Sequence, residues 1–387
     1  MIEPVVRKPL LWLLPLLLGI GLLLAACGGD NQQQTSSSTA AQDQLQEQTV
    51  AATSSDDEQA QQEQAEQQQP QQKEQTRAVV AELEGDISID GSSTVFPITE
   101  AMAEEFSILA DGDVRVTVGV SGTGGGFKRF CAGETDISDA SRPVKDSEVE
   151  LCAESGIEFI EIPVAFDGLT IVLNPDNDWV DHLTVAELNH IFRPDDYATS
   201  WADVREGFPD IEITLYAPGA DSGTFDYFTE AINGDGGVHR SDNTTFSEDD
   251  NVLVLGVSSD RGGIGYFGFS YYANNADRLK AVPVLNSAGD AILPSTDTIN
   301  DGSYNPLSRP LLIYVSVSSL ERPEVAAFVE YYLTDGVWLV DTPEVGYVQL
   351  PANIYAAALE RVEARVTGSA IAAAHEGDSL AMIFSAE

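Results

Sequence analysis

Hydrophobic and polar residues alternate along this chain with two different periods. Ile87 and Ile89 alternate with polar neighbours, which is the two-residue period of a half-buried strand. After a short turn, Ile98, Met102 and Phe106 recur at the spacing that lines one face of a helix. Because such patterns follow one another over roughly three hundred residues, enough for two ordinary domains, the sequence predicts an α/β fold.

Four turns rich in glycine and hydroxyl residues follow predicted strands and lead towards helices. They lie at residues 90–97, 121–126, 136–143 and 213–225. The start of a helix presents unpaired backbone N–H groups and a partial positive charge. A single turn of this composition is usually only a turn. Four in series predict a site for a small oxyanion.

Six blocks of sequence resemble, in the same order, those of the PstS-type phosphate-binding receptors of phosphate ABC transporters. The blocks are Gly-Ser-Ser-Thr-Val-Phe-Pro at 91–97, Ser-Gly-Thr-Gly-Gly-Gly at 121–126, Asp-Ala-Ser-Arg-Pro at 139–143, Ala-Asp-Ser-Gly-Thr at 220–224, Gly-Ile-Gly-Tyr at 263–266 and Pro-Leu-Ser-Arg-Pro-Leu at 306–311. Each block is weakly specific, but the ordered set, from about Leu83 to the C-terminus, is specific. The resemblance implies a hinged periplasmic-binding-protein type II fold, with two domains that are each a mixed sheet flanked by helices.

The resemblance also implies a set of phosphate contacts. The residues carried over are Ser93, Thr94, Val95 (through its N–H), Thr123, Ser141, Arg142, Ser222, Gly223 (through its N–H) and Thr224. This sequence departs from many family members, which have an aspartate in place of Ser141 and an arginine in place of Pro218. We expect Arg142 to supply the cation.

A protonated phosphate also needs a hydrogen-bond acceptor, which sulfate does not. With Ser141 in the usual place of the family's carboxylate, the candidates are Asp221 and Asp139. Asp221 is favoured because it directly precedes the donors at 222–224. The alternative is that Asp221 only caps the helix that follows.

The chain is predicted to pass twice between two sheets. The apolar run 160–166 continues directly into 167–173, and a second passage is expected near 304–310. The first domain would therefore be discontinuous, made of residues 83–165 and 309–387. Residues 166–308 would form the second domain.

Residues 1–26 have the pattern of a bacterial lipoprotein signal peptide. Arg7 and Lys8 precede the apolar residues 10–24, and Leu-Ala-Ala precedes Cys27, which would carry the lipid, such as palmitate, after cleavage. The alternative is a transmembrane anchor, but the run is short of the roughly 20 residues that a span needs and contains Pro15.

Residues 27–82 are rich in Gln, Ser, Ala and Glu and have almost no large apolar side chains. Such a segment cannot bury a core and is expected to be a disordered tether. An exported protein is therefore predicted, anchored by lipid on the outer face of the cytoplasmic membrane, in the periplasm or at the cell surface.

Motifs of enzyme and metal chemistry are missing from the sequence. The four histidines, His182, His190, His239 and His375, lack the spacing of a zinc site. The sequence has neither a Gly-x-x-x-x-Gly-Lys-Ser/Thr loop nor a Gly-x-Ser-x-Gly elbow. We therefore expect no enzyme activity, no cofactor and no metal.

Two cysteines besides Cys27 could form a disulfide. Cys131 and Cys152 are either bridged or two buried thiols, and an exported compartment favours the bridge.

The net charge of −44 argues against binding to nucleic acid or to an anionic membrane by charge. It suggests a salt-rich habitat or, more simply, solubility.

The sequence thus predicts a monomeric receptor, attached to the membrane only by its lipid. The receptor would capture inorganic phosphate between its domains and deliver it to an ABC permease. Two other readings stay open: a receptor for another tetrahedral oxyanion such as sulfate, and a secreted phosphatase on the same fold.

Overall fold

The computed structural model describes residues 80–220, 222–374 and 379–385, all within one compact unit. Eleven strands occur in this part of the chain. They are β1 (Gly85–Gly91), β2 (Val114–Val120), β3 (Ile137–Ala140), β4 (Phe159–Leu173), β5 (Thr214–Pro218), β6 (Thr244–Ser247), β7 (Gly263–Gly268), β8 (Lys280–Ala281), β9 (Val284–Leu285), β10 (Ala291–Ile292) and β11 (Ser308–Ser316).

Nine of these strands form one mixed sheet in the order β2-β1-β3-β11-β4-β7-β5-β6, and β8 pairs with β4 beside this path. At one side β1 runs parallel to β2 and β3, and at the other β5 runs parallel to β6 and β7. The antiparallel strands β4 and β11 lie between these parallel groups. The α/β class is confirmed.

Strand β4 connects the two sides of the sheet without interruption. Its first part pairs with β11, from Phe159 to Gly168, and its last part pairs with β7, from Leu169 to Leu173. All 15 of its residues are buried, because both faces of the strand are covered. The apolar runs 160–166 and 167–173 are thus one strand shared between two sets of partners.

Thirteen α-helices flank the sheet among the described residues. They are α1 (Phe96–Leu109), α2 (Thr123–Cys131), α3 (Asp146–Glu154), α4 (Val185–Phe192), α5 (Trp201–Val204), α6 (Gly223–Phe228), α7 (Asp250–Ser259), α8 (Phe269–Ala273), α9 (Thr296–Asn300), α10 (Pro323–Leu333), α11 (Ala352–Glu363), α12 (Ala370–Ala373) and α13 (Leu380–Ser385). A single wide helical turn, Thr229–Asn233, extends α6. None of the described helices is long and apolar enough to cross a membrane.

The main core confirms the predicted face of α1. Ile98, Met102 and Phe106 are fully buried, and the Phe106 ring meets Phe328 of α10 edge to face at 5.3 Å between centroids. Val80, within the segment predicted as tether, packs into the same core. Full burial of each such side chain contributes about 1.5–3 kcal/mol.

A smaller core supports the second and third turns. Phe127 of α2 packs against Tyr314 of β11, with ring centroids 4.8 Å apart. In the same cluster a disulfide joins Cys131 at the end of α2 to Cys152 in α3, with 4.3 Å between their Cα atoms. The pair that the sequence singled out therefore links the two helices that follow these turns.

Other helix predictions agree closely with the structure. Residues 183–192 have the pattern of a helix capped by Thr184, and in the structure the Thr184 hydroxyl caps α4 by accepting the N–H of Glu187 at 3.1 Å. The sequence of residues 249–257 fits either a helix or a strand, and in the structure Asp249 caps α7 and the following residues lie in that helix. Apolar faces in the sequence also predict helices at 323–334 and 351–364, and these are α10 and α11.

Candidate functional site

The first turn passes from β1 into α1 in very close contact with β3. Gly91 has a positive φ of 152°, and a Cβ added there would lie 2.1 Å from the carbonyl oxygen of Asp139. The N–H of Ser92 donates to that carbonyl oxygen at 2.9 Å, and the Ser92 hydroxyl accepts the N–H of Thr94 at 3.2 Å. Glycine at 91 is therefore required for the turn.

The sequence of this turn predicts that Ser93 or Thr94 caps α1, and this prediction is wrong. Neither Ser93 nor Thr94 caps α1, because the N-cap position is Val95, which makes no side-chain cap bond. The hydroxyl of Thr94 instead accepts a hydrogen bond from Arg309, at 3.1 Å from Nη2. The Thr94 hydroxyl thus binds a residue that is 215 positions away in the sequence. A capping rule, which considers only neighbouring residues, does not predict this contact.

The second and third turns meet through two predicted site residues. The hydroxyl oxygens of Thr123 and Ser141 lie 3.2 Å apart, and the N–H of Ser141 donates to Thr123 Oγ1 at 3.2 Å. Gly126, in the first part of α2, allows this helix to lie against β1, since an added Cβ would be 2.6 Å from the Cα of Gly91. Close packing of helix on strand brings the two hydroxyls together.

Arg142, the predicted cation, is half-buried and held by a carboxylate. Its Nη1 and Nη2 donate to the two oxygens of Glu148 at 2.8 and 2.7 Å, and Nη1 also donates to the carbonyl of Pro143 at 3.0 Å. Burial tends to raise the pKa of Glu148, but hydrogen bonds from Arg142 and from the N–H of Lys145 lower it below its usual value. The bidentate geometry fixes the orientation of the guanidinium.

The fourth turn lies against the first. Ser222 caps α6 by accepting the N–H of Thr224 at 3.2 Å. A Cβ added to Gly223 would lie 2.6 Å from Thr94 Oγ1, so the two turns are in direct contact. The predicted acceptor Asp221 lies outside the described residues, as does the lipidation site Cys27.

Arg309 is a second cation that the sequence reasoning missed. Its Nη2 donates to Thr94 and also to Asp167 Oδ2 at 3.2 Å, and its guanidinium lies over the ring of Tyr227 at 3.8 Å. Asp167 is buried, and desolvation raises its pKa although the charge of Arg309 opposes this. A buried ion pair with further hydrogen bonds gives Arg309 a defined position.

A repeated tripeptide is the signal that could have identified Arg309. Ser-Arg-Pro occurs at 141–143 and again at 308–310. Strands β3 and β11 pair antiparallel, with Leu312 opposite Ala140, so the end of β3 lies beside the start of β11. The two tripeptides therefore meet at one edge of the sheet.

Both arginines border one cavity of about 350 Å³. It is lined by Thr123, Ser141, Arg142, Pro143, Tyr227, Glu230, Ala231, Arg309 and Pro310. Thr94 adjoins this lining through Arg309, and Gly223 adjoins it through Thr94. Ser93, Val95, Ser222 and Thr224 are not part of the lining. A larger cavity of about 490 Å³, between α8 and residues 347–351, contains none of the predicted site residues.

Asp139, the other candidate acceptor, does not border the cavity. It is fully buried, and neither of its carboxylate oxygens has a hydrogen-bond partner among the described residues. Burial raises its pKa to about 8; the nearby Thr99 hydroxyl opposes this shift, and the charge of Asp90 adds to it. Its carboxyl group faces the interior near Thr99 and Tyr332.

The histidines contribute nothing to this cavity in the described part of the chain. His239 is packed among aromatic rings, 5.5 Å from Phe192 and 5.6 Å from Phe225, and burial lowers its pKa to about 4. No group of three or more metal-ligating side chains occurs in residues 80–220, 222–374 and 379–385. The hydroxyls and the two guanidinium groups, each oriented by a carboxylate, are suited to binding an anion.

Comparison with known proteins agrees with this geometry. Residues 66–336 match the family profile described as PBP superfamily domain. Protein SphX of Synechococcus elongatus is 53% identical over 288 residues, which cover 74% of this chain and 84% of that protein. Phosphate-binding protein PstS of Staphylococcus saprophyticus is 41% identical over 273 residues, 70% of this chain and 82% of that protein.

A solved structure shares both the fold and much of the sequence. It is the crystal structure of a possible phosphate binding protein from Planctomyces limnophilus, with a TM-score of 0.69 and 45% identity. The match covers 73% of this chain and 99% of that chain.

Proposed function

Because this chain belongs to the PBP superfamily and, within it, to the PstS-type phosphate-binding receptors, we propose that it binds inorganic phosphate in the 350 Å³ cavity and delivers it to an ABC permease. Its relatives are binding receptors, and the chain is not an enzyme. The lipid anchor at Cys27 and a tether that ends before Val80, which belongs to the core, would hold it, as a monomer, on the outer face of the cytoplasmic membrane.

The meeting of two arginines at one cavity carries this proposal. Arg142 and Arg309 are each oriented by a carboxylate, Glu148 and Asp167 respectively. A guanidinium has five N–H donors in a planar fork that matches two phosphate oxygens, and a carboxylate uses only part of that fork. The remaining donors, with the hydroxyls at 123 and 141, suit a tetrahedral oxyanion.

The proposed clamp is made of residues 83–165 and 309–387 on one side and 166–308 on the other. Its support is that the cavity lining comes from both parts: Thr123 and Arg142 from the first, Tyr227 and Glu230 from the second. Arg309 lies where β11 begins, opposite Asp167 of β4. Bending of these two shared strands would open and close the clamp.

The net charge of −44 does not oppose an anionic ligand in such a clamp. A bound oxyanion responds mainly to donors about 3 Å away, in a region of low dielectric. Charges on the distant surface are screened beyond about 8–10 Å at ordinary salt concentrations. Local donors therefore decide the binding.

The residue at position 141 makes sulfate a second candidate ligand. Ser141 stands where many family members have the carboxylate that accepts the proton of phosphate, which leaves room for sulfate. We propose that Asp221 supplies this acceptor, since Asp139 is buried away from the cavity. Phosphate is then preferred over sulfate.

Calorimetric titration with phosphate, arsenate and sulfate tests the proposal. Phosphate and arsenate, which both carry a proton near neutral pH, should bind at least about tenfold more tightly than sulfate, a difference of about 1.4 kcal/mol. Tighter binding of sulfate would favour the second ligand. The absence of binding to all three anions would contradict an oxyanion receptor.

A further inference from the structure

A fully buried carboxylate on β4 lies outside the lining of the anion cavity. Glu161 of β4 is not exposed to solvent at all. It accepts hydrogen bonds from the hydroxyl of Tyr314 at 2.6 Å, the hydroxyl of Ser369 at 2.6 Å and the N–H of Ile371 at 2.9 Å. A buried carboxylate is costly unless donors satisfy it, so these contacts hold each donor in place.

The hydroxyl of Tyr314 makes a second contact. While it donates to Glu161, it accepts the backbone N–H of Val144 at 2.9 Å. Burial and the neighbouring charge of Glu161 raise the pKa of Tyr314 well above its usual value, so the phenol keeps the proton that it donates. Val144 directly follows Ser141, Arg142 and Pro143, which all line the cavity.

The ring of Tyr314 is also linked to this turn, through aromatic packing. It packs against Phe127 and Phe159, with centroids 4.8 and 5.5 Å away. The guanidinium of Arg142 lies over the ring of Phe127, 5.8 Å from its centroid. Tyr314 is opposite Glu161 in the antiparallel pairing of β11 with β4, so both side chains are set by the sheet register.

We propose that Tyr314, oriented by Glu161, is a positioning residue of the anion site that fixes the turn carrying Ser141 and Arg142. The inference rests on the proposed phosphate function. Without the hydroxyl, the Val144 N–H loses its partner and the turn samples more conformations. Binding an anion must then order the turn again, which weakens affinity.

Ser369 provides a matched control. Its hydroxyl also donates to Glu161 but touches no residue of the turn. Tyr314→Phe and Ser369→Ala each remove one donor from the same carboxylate, so both should destabilise the fold to a similar extent. Tyr314→Phe should weaken phosphate binding about 3- to 10-fold and Ser369→Ala less than about 2-fold, as expected for one hydrogen bond. Equal losses of affinity would overturn the positioning role.

A double-mutant cycle separates positioning from general softening of the fold. In an Arg142→Ala background, Tyr314→Phe should have less than about a 2-fold further effect, because the charged group that it positions is gone and only the Ser141 hydroxyl remains on the turn. An undiminished effect in that background would show that Tyr314 acts elsewhere.

Hydrogen exchange gives a measurement that does not depend on phosphate. The Val144 amide should exchange at least about tenfold faster in Tyr314→Phe than in Ser369→Ala, since only the first change removes its partner. Equal exchange rates would reject the inference. If the unaltered protein takes up no phosphate, the proposed function fails, and this exchange experiment alone decides the role of Tyr314.

Discussion

Gly223 lies directly against Thr94, so close that a Cβ added to the glycine would be 2.6 Å from the threonine hydroxyl oxygen and 3.0 Å from its Cα. This contact joins the fourth turn to the first. Thr94 in turn accepts a hydrogen bond from Arg309, which borders the cavity. Because Gly223 has no side chain, the fourth turn can lie against the threonine that binds Arg309 at the cavity.

Replacing this glycine should impair phosphate binding. Gly223→Ala forces Thr94 away and disturbs its bond to Arg309, and overpacking of this kind typically costs about 1–3 kcal/mol. We expect phosphate affinity to fall by about tenfold or more in calorimetry. Gly236→Ala is the control, because its added Cβ would have its nearest neighbour, the Asp226 carbonyl oxygen, 4.0 Å away. Equal affinities of the two variants would contradict the account.

Arg142→Ala should weaken phosphate binding by about 2–5 kcal/mol, since a bound anion loses a charged donor and Glu148 loses its partner. Lys128→Ala is the control, because Lys128 is exposed on α2 and should change binding by less than about 0.5 kcal/mol. Titration calorimetry measures both. A loss below about 0.5 kcal/mol for Arg142→Ala, within the scatter of surface changes, would remove this residue from the site.

The buried Asp139 predicts a dependence of stability on pH. Its pKa is about 8 in the folded protein and about 3.9 in an unfolded chain. Between these values the folded protein holds a proton that the unfolded chain releases. The stability contributed by protonated Asp139 is therefore complete below about pH 4 and is lost as the pH rises to about 8.

Asp139→Asn has no such proton to lose. Its unfolding free energy relative to the unaltered protein should rise between about pH 4 and 8, by at most about 1.4 kcal/mol per pH unit, and stay level above pH 8. Urea denaturation at several pH values measures this difference. The exposed Asp113→Asn is the control and should show no such rise. A constant difference for Asp139→Asn from pH 5 to 8 would refute the prediction.

Removing the disulfide should lower the free energy of unfolding, with little change in the fold. Cys131 and Cys152 are 21 residues apart in sequence, and a bridge of this span stabilises a protein by about 2–4 kcal/mol. The double variant Cys131→Ser, Cys152→Ser should unfold at lower denaturant concentration and become insensitive to dithiothreitol. An unchanged unfolding midpoint would show that the bridge adds nothing.

The elements could be predicted from the sequence where local pattern and tertiary packing agree. The apolar spacing of α1 and the Thr184 cap of α4 are found as predicted, because each depends on residues within a few positions. The contact of Thr94 with Arg309 spans 215 residues and follows from strand order, which no local pattern encodes. The sequence therefore indicated the hydroxyl turns but missed the second arginine.

The partner of Arg142 illustrates the same limit. Its position in a hydroxyl turn suggested a cation free to meet a ligand, whereas the structure pairs it with Glu148 six residues later. That spacing places a turn and the start of α3 side by side. The carboxylate orients the guanidinium but also offsets its charge, so an anion would be recognised mainly by directed hydrogen bonds.

A crystal structure of the protein with bound phosphate would show directly whether the anion lies between Arg142 and Arg309. We expect one phosphate in the cavity lined by Arg142 and Arg309, with its oxygens within about 3 Å of donors on both arginines and of the hydroxyls at 123 and 141. Phosphate bound in contact with neither arginine, or found only in the larger cavity near residues 347–351, would contradict this expectation.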